Sequence, residues 1–259
     1  MHDAAGQPLS GQVALVAGGS GGIGGAIAVA LAAAGADVAV TYRSGAGRAQ
    51  AVVEQVAAQG RRTLALEADL RSREAVDRAV AAALAALGRI DVLVTAIGAG
   101  GLGFFMRQDE AVWEQVWETD VRGVFYCCRA VIPQMAERKA GRVIFISSDS
   151  GKVGQLGGAV SAAARGALNA FAKSLAREVA RDKVTVNVVC PGPTRTDRFE
   201  QGLMQDADRN VWERVLQSIP LKRAAEPREV ASLVVYLASP DGGFVTGQAL
   251  SVSGGLTMM

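Results

Sequence analysis

Seven short runs dominated by β-branched and other apolar residues recur along this chain, and a stretch of helical length separates each from the next. The runs are "VALVA" at 13–17, "VAVTY" at 38–42, "TLALEA" at 63–68, "IDVLVTA" at 90–96, "RVIFIS" at 142–147, "VTVNVVC" at 184–190 and "ALSVS" at 249–253. Continuously apolar strands, rather than strands that alternate apolar with polar, belong to a sheet covered on both faces. Alternation with helices makes that sheet parallel. Helical periodicity is expected over 22–34, 46–59, 72–87, 109–136, 158–181 and 227–238. No linker or low-complexity tract interrupts the series, so one α/β domain with a doubly wound parallel sheet accounts for all 259 residues. Only 193–226, with Pro193 and Pro220 and followed by Pro227, breaks the alternation; it is expected to form an irregular lobe over the strand ends, where such sheets bind ligands.

Composition narrows the function classes. With 27 basic against 25 acidic residues and no Lys/Arg stripe, neither nucleic acid nor an anionic membrane is an expected partner. The opening "MHDAAGQPLSGQ" lacks a basic segment followed by an apolar run, and no apolar stretch reaches membrane-spanning length, so a cytoplasmic location is expected. Cys127, Cys128 and Cys190 have neither disulfide-framework nor zinc spacing and are expected to be core thiols; no metal is expected.

After the first strand comes "AGGSGGIG", with Gly18, Ser20, Gly22, Ile23 and Gly24. A glycine-rich turn between a strand and a helix lets backbone approach a pyrophosphate, which the helix N-terminus attracts. Close packing of a tight turn is the alternative reason for these glycines. NAD-selective folds put an acid at the end of the second strand to hold the ribose. Here that place holds Tyr42 followed by Arg43, which leans towards a 2′-phosphate or is a solvated surface arginine.

These features together resemble the classical short-chain dehydrogenase/reductases, of Rossmann-type fold, over essentially the whole length. "AGGSGGIG" resembles the family's TGxxxGIG. "ADL" at 68–70 is similar to the adenine-contacting pair, giving Asp69 and Leu70. "PGPTRT" at 191–196 is similar to the turn beside the nicotinamide, giving Pro191, Gly192 and Thr196. "VTGQALSVSGG" resembles the C-terminal strand, with Ser253 where Asp is usual. The resemblance implies a catalytic Asn, Ser, Tyr and Lys. The serine is present as Ser148, but the tyrosine position is Ser161, the lysine position Arg165 and the asparagine position Asp120; Thr95 and Ala96 replace the asparagines of NNAG.

A phenol near pKa ~10 can be lowered towards working pH by a neighbouring ammonium, whereas a serine hydroxyl needs a dedicated base. The only histidine, His2, lies at the N-terminus, so no Ser–His relay is available. Loss of general acid–base catalysis alone costs roughly 10²–10⁴-fold. Asp120 is expected to pair with Arg122 or Arg165, and NAD(P) binding to be weakened or absent. Ser161 and Arg165 also read as ordinary first-turn helix residues, and the small residues of "SAAARGALNAFA" as helix filler or an assembly face.

"ISSDSGKVG" at 146–154 and "VNVVCPGPT" at 186–194 are similar to the branch of the family that oxidises hydroxyacyl-CoA compounds in the breakdown of cyclic and aromatic acids. That branch includes enzymes built from two different short-chain subunits, one of them silent. The resemblance therefore implies a non-catalytic chain in a heterotetramer with a homologous active subunit, and an acyl-CoA substrate of the complex. A ketoreductase working without the tyrosine and a dinucleotide-sensing regulator are the other readings. The "GAGGLGFFM" segment at 98–106 and the lobe with Trp212 could meet an aromatic acyl group, but Phe104, Phe105 and Met106 are rather expected to seal a strand end, and Trp113 and Trp117 to form a core or interface stripe.

Overall fold

The computed structural model describes residues 6–204 and 206–259, with side chains for all of these except 198, 202–204 and 206–211. The strands are β1 (Val13–Ala17), β2 (Asp37–Tyr42), β3 (Thr63–Glu67), β4 (Val92–Thr95), β5 (Gly141–Ile146), β6 (Val184–Pro191) and β7 (Ala249–Val252). They form one parallel sheet in the order β3-β2-β1-β4-β5-β6-β7. The chain winds outward from β1 to β3, returns to β4 beside β1 and winds out again. The carboxyl ends of β1 and β4 therefore flank the switch point at which such sheets leave a crevice.

Helices α1 (Gly22–Ala33), α2 (Ala46–Ala57) and α10 (Pro227–Ala238) belong to one face. Helices α3 (Arg73–Leu87), α5 (Gly123–Glu137) and α7 (Ala159–Val179) cover the other. Side chains of a strand alternate between faces, so Val13, Leu15 and Ala17 enter the core beneath α3, α5 and α7, while Ala14 and Val16 enter the core beneath α1 and α10. Both sets are buried, which is why the strands read as unbroken apolar runs. Local signals set the helix ends: the Ser72 hydroxyl accepts the Ala75 N–H at 3.2 Å, Gly88 closes α3 in the left-handed conformation (φ 88°), and Pro227 opens α10.

Two elements differ from the sequence expectation. The helix expected over 109–136 is α4 (Glu110–Val116), one wide π-helical turn at Trp117–Arg122, and then α5. The lobe expected to be irregular contains α8 (Asp197–Met204) and α9 (Asp206–Ser218), so its prolines flank helices rather than prevent them. A four-residue helix, α6 (Ser150–Val153), completes the set between β5 and α7. Among the described residues, no helix is long and apolar enough to cross a membrane.

Candidate active site

The glycine loop closes the crevice from one side. Gly18 takes φ +83°, and a Cβ there would stand 2.7 Å from the Ala96 carbonyl oxygen. Gly24 faces back on the loop, where a Cβ would overlap the Gly18 carbonyl. Both positions need glycine on packing grounds alone, and the same absence of side chains leaves a cradle at the start of α1. That helix has no side-chain cap and no acid in its first turn, so its N-terminal amides remain free for an anion. Thr41 fixes the loop, its hydroxyl accepting the Gly18 N–H (3.2 Å) and its carbonyl the Gly19 N–H (3.0 Å).

The cleft above this loop measures about 680 Å³ and runs from Ser20, Gly22 and Arg48 to Arg165 and Thr196. Its glycine end fits the diphosphate of a dinucleotide. Of the two residues expected to meet adenine, Leu70 is buried and Asp69 is gripped by Arg71 at 2.6 Å, a bond that holds the Asp69 carboxyl below the usual carboxylate range. Tyr42 is half-buried at the end of β2 and Arg43 is exposed beside it. Across the gap, Arg48 of α2 leans towards Gly21 and Gly45. Pro191 ends β6, and Thr196 lies over the loop, its methyl 3.5 Å from where a Gly22 Cβ would be.

Asp120, Ser148, Ser161 and Arg165, the residues expected at the catalytic positions, come together only in part. Asp120, fully buried in the π-helical turn, pairs with Arg165 at 3.0 Å and accepts the Ala99 N–H at 2.7 Å. Arg165 also donates to the Ile146 carbonyl at 3.0 Å, and its backbone carbonyl accepts the Ser147 hydroxyl. Of the two partners expected for Asp120, Arg165 is the one found; Arg122 pairs with Glu118 at 3.5 Å. Asp120 and Arg165 thus tie the exit of β4, the start of α5, the end of β5 and α7 into one buried knot. Ser148 lies apart from it, its hydroxyl accepting both the Ser150 N–H (3.2 Å) and the Ser150 hydroxyl (3.0 Å). Ser161 is half-buried in the first turn of α7, and among the described residues no hydrogen bond joins it to Ser148.

Beside the cleft, a second cavity of about 490 Å³ lies under the lobe, with Ser148 and Trp212 in its walls. Phe199 meets Trp212 edge-on at 5.1 Å. Among the described residues, neither cavity is lined by a tyrosine, a histidine or a lysine. His2 lies outside the described residues. The three cysteines are buried core thiols, as expected, and burial pushes Cys127 up to about 12 and Cys190 to about 11.

Other expectations are corrected. Phe104, Phe105 and Met106 do not seal a strand end: they are 60%, 51% and 90% exposed. Of the core and interface placements expected for Trp113 and Trp117, only the core one is corrected: neither side chain is buried. Trp113 stacks on Phe105 (4.9 Å, 6°), and both tryptophans line an open groove with Ala159, Val160 and Ala163. Arg48, near the start of α2, also faces the glycine loop, and an arginine early in the helix after the second strand is the signal for it in the sequence.

The model of a family described as enoyl-(acyl carrier protein) reductase matches residues 17–257. A 3-oxoacyl-(acyl-carrier-protein) reductase of Synechocystis sp. is 39% identical over 251 residues, spanning 96% of this chain and 98% of its own length. A reductase of the same name from Staphylococcus aureus (strain Mu50) is 37% identical over 246 residues, 95% of this chain and 98% of the relative. Among solved structures, a short-chain dehydrogenase/reductase from Serratia marcescens BCRC 10948 superposes with a TM-score of 0.88 at 35% identity, over 97% of this chain and 100% of that one. A blue fluorescent protein from a metagenomic library, in complex with NADPH, gives 0.88 at 36% identity over the same shares.

Proposed function

The chain belongs to the short-chain dehydrogenase/reductase family, and from that premise we propose that it is a non-catalytic subunit that assembles in the cytoplasm with a homologous, tetrad-bearing subunit of a hydroxyacyl-CoA dehydrogenase. One observation carries the reading: a buried ion pair, Asp120 with Arg165, stands at the positions where the family holds its proton relay. An arginine stays charged throughout the working range, and a paired buried aspartate has its charge already satisfied, so neither exchanges a proton with a substrate oxygen. Ser148 retains the hydroxyl that would orient such an oxygen, but Ser161 brings no acid strong enough to protonate it.

Gly18, Ser20, Gly22, Ile23 and Gly24 would hold the diphosphate of NAD(P), with Tyr42, Arg43, Asp69 and Leu70 at its adenosine end and Pro191, Gly192 and Thr196 at the other. When bound, that group supplies or accepts a hydride. Arg71 competes for Asp69, and Arg165 lines the cleft at the place of the family's ribose-binding lysine, so weakened binding accords with this reading. The substrate class rests on the likeness of "ISSDSGKVG" and "VNVVCPGPT" to the branch acting on hydroxyacyl-CoA esters. Within it, 2-(hydroxy(phenyl)methyl)succinyl-CoA dehydrogenase, of anaerobic toluene and benzylsuccinate degradation, has the two-subunit plan expected here.

The intact glycine cradle, together with relatives named as 3-oxoacyl reductases, favours a second reading: a ketoreductase that takes its proton from solvent. One experiment separates the two. The chain is purified from its native host, weighed by native mass spectrometry and assayed for NAD(P)-dependent oxidation of hydroxyacyl-CoA esters. A complex with a second short-chain subunit, active only in that company, is the expected result. A homo-oligomer that turns over alone would overturn it.

A further inference from the structure

Helix α4 and the wide turn after it keep two indole rings out of the core. Trp113 and Trp117 stand four residues apart and so share one face, and both line a groove of about 330 Å³ together with Phe105. The small side chains of Ala159, Val160 and Ala163, at the start of α7, leave the groove open. Its volume suits a small organic molecule.

The rings are held in place by the fold. Phe105 stacks on Trp113 (4.9 Å, 6° between planes), the Trp113 indole N–H donates to Gln108 at 3.1 Å, and Gln108 donates in turn to the Gly101 carbonyl at 3.0 Å. Gly101 takes φ +76°, and a Cβ there would stand 2.5 Å from the Val116 side chain, so the loop carrying Phe105 is seated directly on α4. Walls ordered in advance spare a ligand the cost of ordering them.

Glu114 is the one charged side chain in the lining. It is exposed, three residues before Trp117 and therefore beside it, and among the described residues it has neither a hydrogen bond nor an ion pair. Aromatic faces are negative and attract a cation placed over them. With the Trp113 N–H committed and no polar side chain but Glu114 and the indoles in the lining, the groove favours a cation that needs no hydrogen bonds, one whose nitrogen carries methyl groups in place of N–H. A purely apolar cover would instead bury the Glu114 carboxylate without a counterpart.

We propose that this groove is a binding site for a small quaternary ammonium compound, its methyl groups against the aromatic rings and its charge answered by Glu114. The inference concerns binding to this chain and does not rest on the silent-subunit reading.

Calorimetric titration of the full chain at neutral pH with choline and with 3,3-dimethylbutan-1-ol tests it, because the alcohol keeps the shape and puts carbon in place of the charged nitrogen. Choline should bind at least about tenfold more tightly than the alcohol, through cation–π contact and the carboxylate together. Glu114→Gln should cut that advantage about threefold, the worth of an exposed ion pair, and leave the alcohol unchanged. Trp117→Ala should weaken choline at least about threefold. Both side chains are exposed, so both variants should fold as the parent does. No heat with choline, equal binding of choline and the alcohol, or choline binding indifferent to both substitutions would each overturn the proposal. Sedimentation of the same samples adds one more such outcome: a homo-oligomer that choline cannot enter and that Trp117→Ala dissociates makes the groove a contact between copies.

Discussion

At position 165 the difference between a lysine and an arginine is one of geometry as much as charge. The planar guanidinium of Arg165 reaches the Asp120 carboxylate and the Ile146 carbonyl at once, at 3.0 Å each, which a compact ammonium on the same helix would not match. Removing one partner leaves the other buried and charged. Asp120→Ala should therefore cost about 3–5 kcal/mol, a fall in Tm of roughly 6–20 °C for a chain of this size. Asp120→Ala with Arg165→Ala should lose less than the sum of the singles by at least about 0.5 kcal/mol; thermal melts of the four-member cycle check both numbers. The cysteines make a second prediction. With Cys127 pushed up to about 12 and Cys190 to about 11 by burial, the native chain should resist a thiol reagent at pH 8, and Cys127, Cys128 and Cys190 should all react once it is unfolded. Of the site residues, the choice between Arg122 and Arg165 was already posed by the sequence.

Among the elements, the strands were legible because both sheet faces are covered, so each reads as a continuous apolar run close to its observed bounds. The break between α4 and α5 was not, since periodicity carries through it. The wide turn at Trp117–Arg122 holds Asp120, whose partners Ala99 and Arg165 lie 21 residues before and 45 after, out of reach of any local pattern. Helices α8 and α9 were not legible for the opposite reason: Pro193 and Pro220 read as breakers of the segment but stand outside both helices. Helix α10 shows how a start signal becomes measurable. Glu229 accepts the Glu226 N–H at 2.8 Å and two bonds from Arg223 at 2.6 and 2.7 Å. First the Arg223 guanidinium and then that backbone N–H hold its carboxyl down at about 2, from an ordinary 4.5. A carboxyl depressed in the folded state contributes stability that is present above its unfolded value and fades as pH falls from there through about 2. A proton titration followed by NMR should place Glu229 near the lower figure, and Arg223→Ala should move it back towards the upper one.

For the whole molecule, the frame and the reaction have separate requirements. The sheet order, the two cores and the glycine cradle depend on residues that are all in place, whereas under the proposed reading proton transfer would depend on the asparagine, tyrosine and lysine positions, which that reading assigns to Asp120, Ser161 and Arg165. Fold and chemistry can therefore be tested apart by rewriting those positions. If the chain is the silent member of a complex, the combined Asp120→Asn, Ser161→Tyr, Arg165→Lys variant should still assemble, because the Asp120–Arg165 charge pair is replaced as a unit rather than broken. Turnover per complex should then rise no more than about twofold, since the partner already supplies the proton relay and a second competent site can at most double it; steady-state assays of matched complexes read this directly. If the chain instead works alone with solvent as acid, the same three changes restore a general acid worth roughly 10²–10⁴-fold, and the isolated homo-oligomer, with no partner present, should gain activity on that scale. The size of the gain, and whether a partner is needed to see it, distinguishes a frame kept for assembly from a frame still used for chemistry.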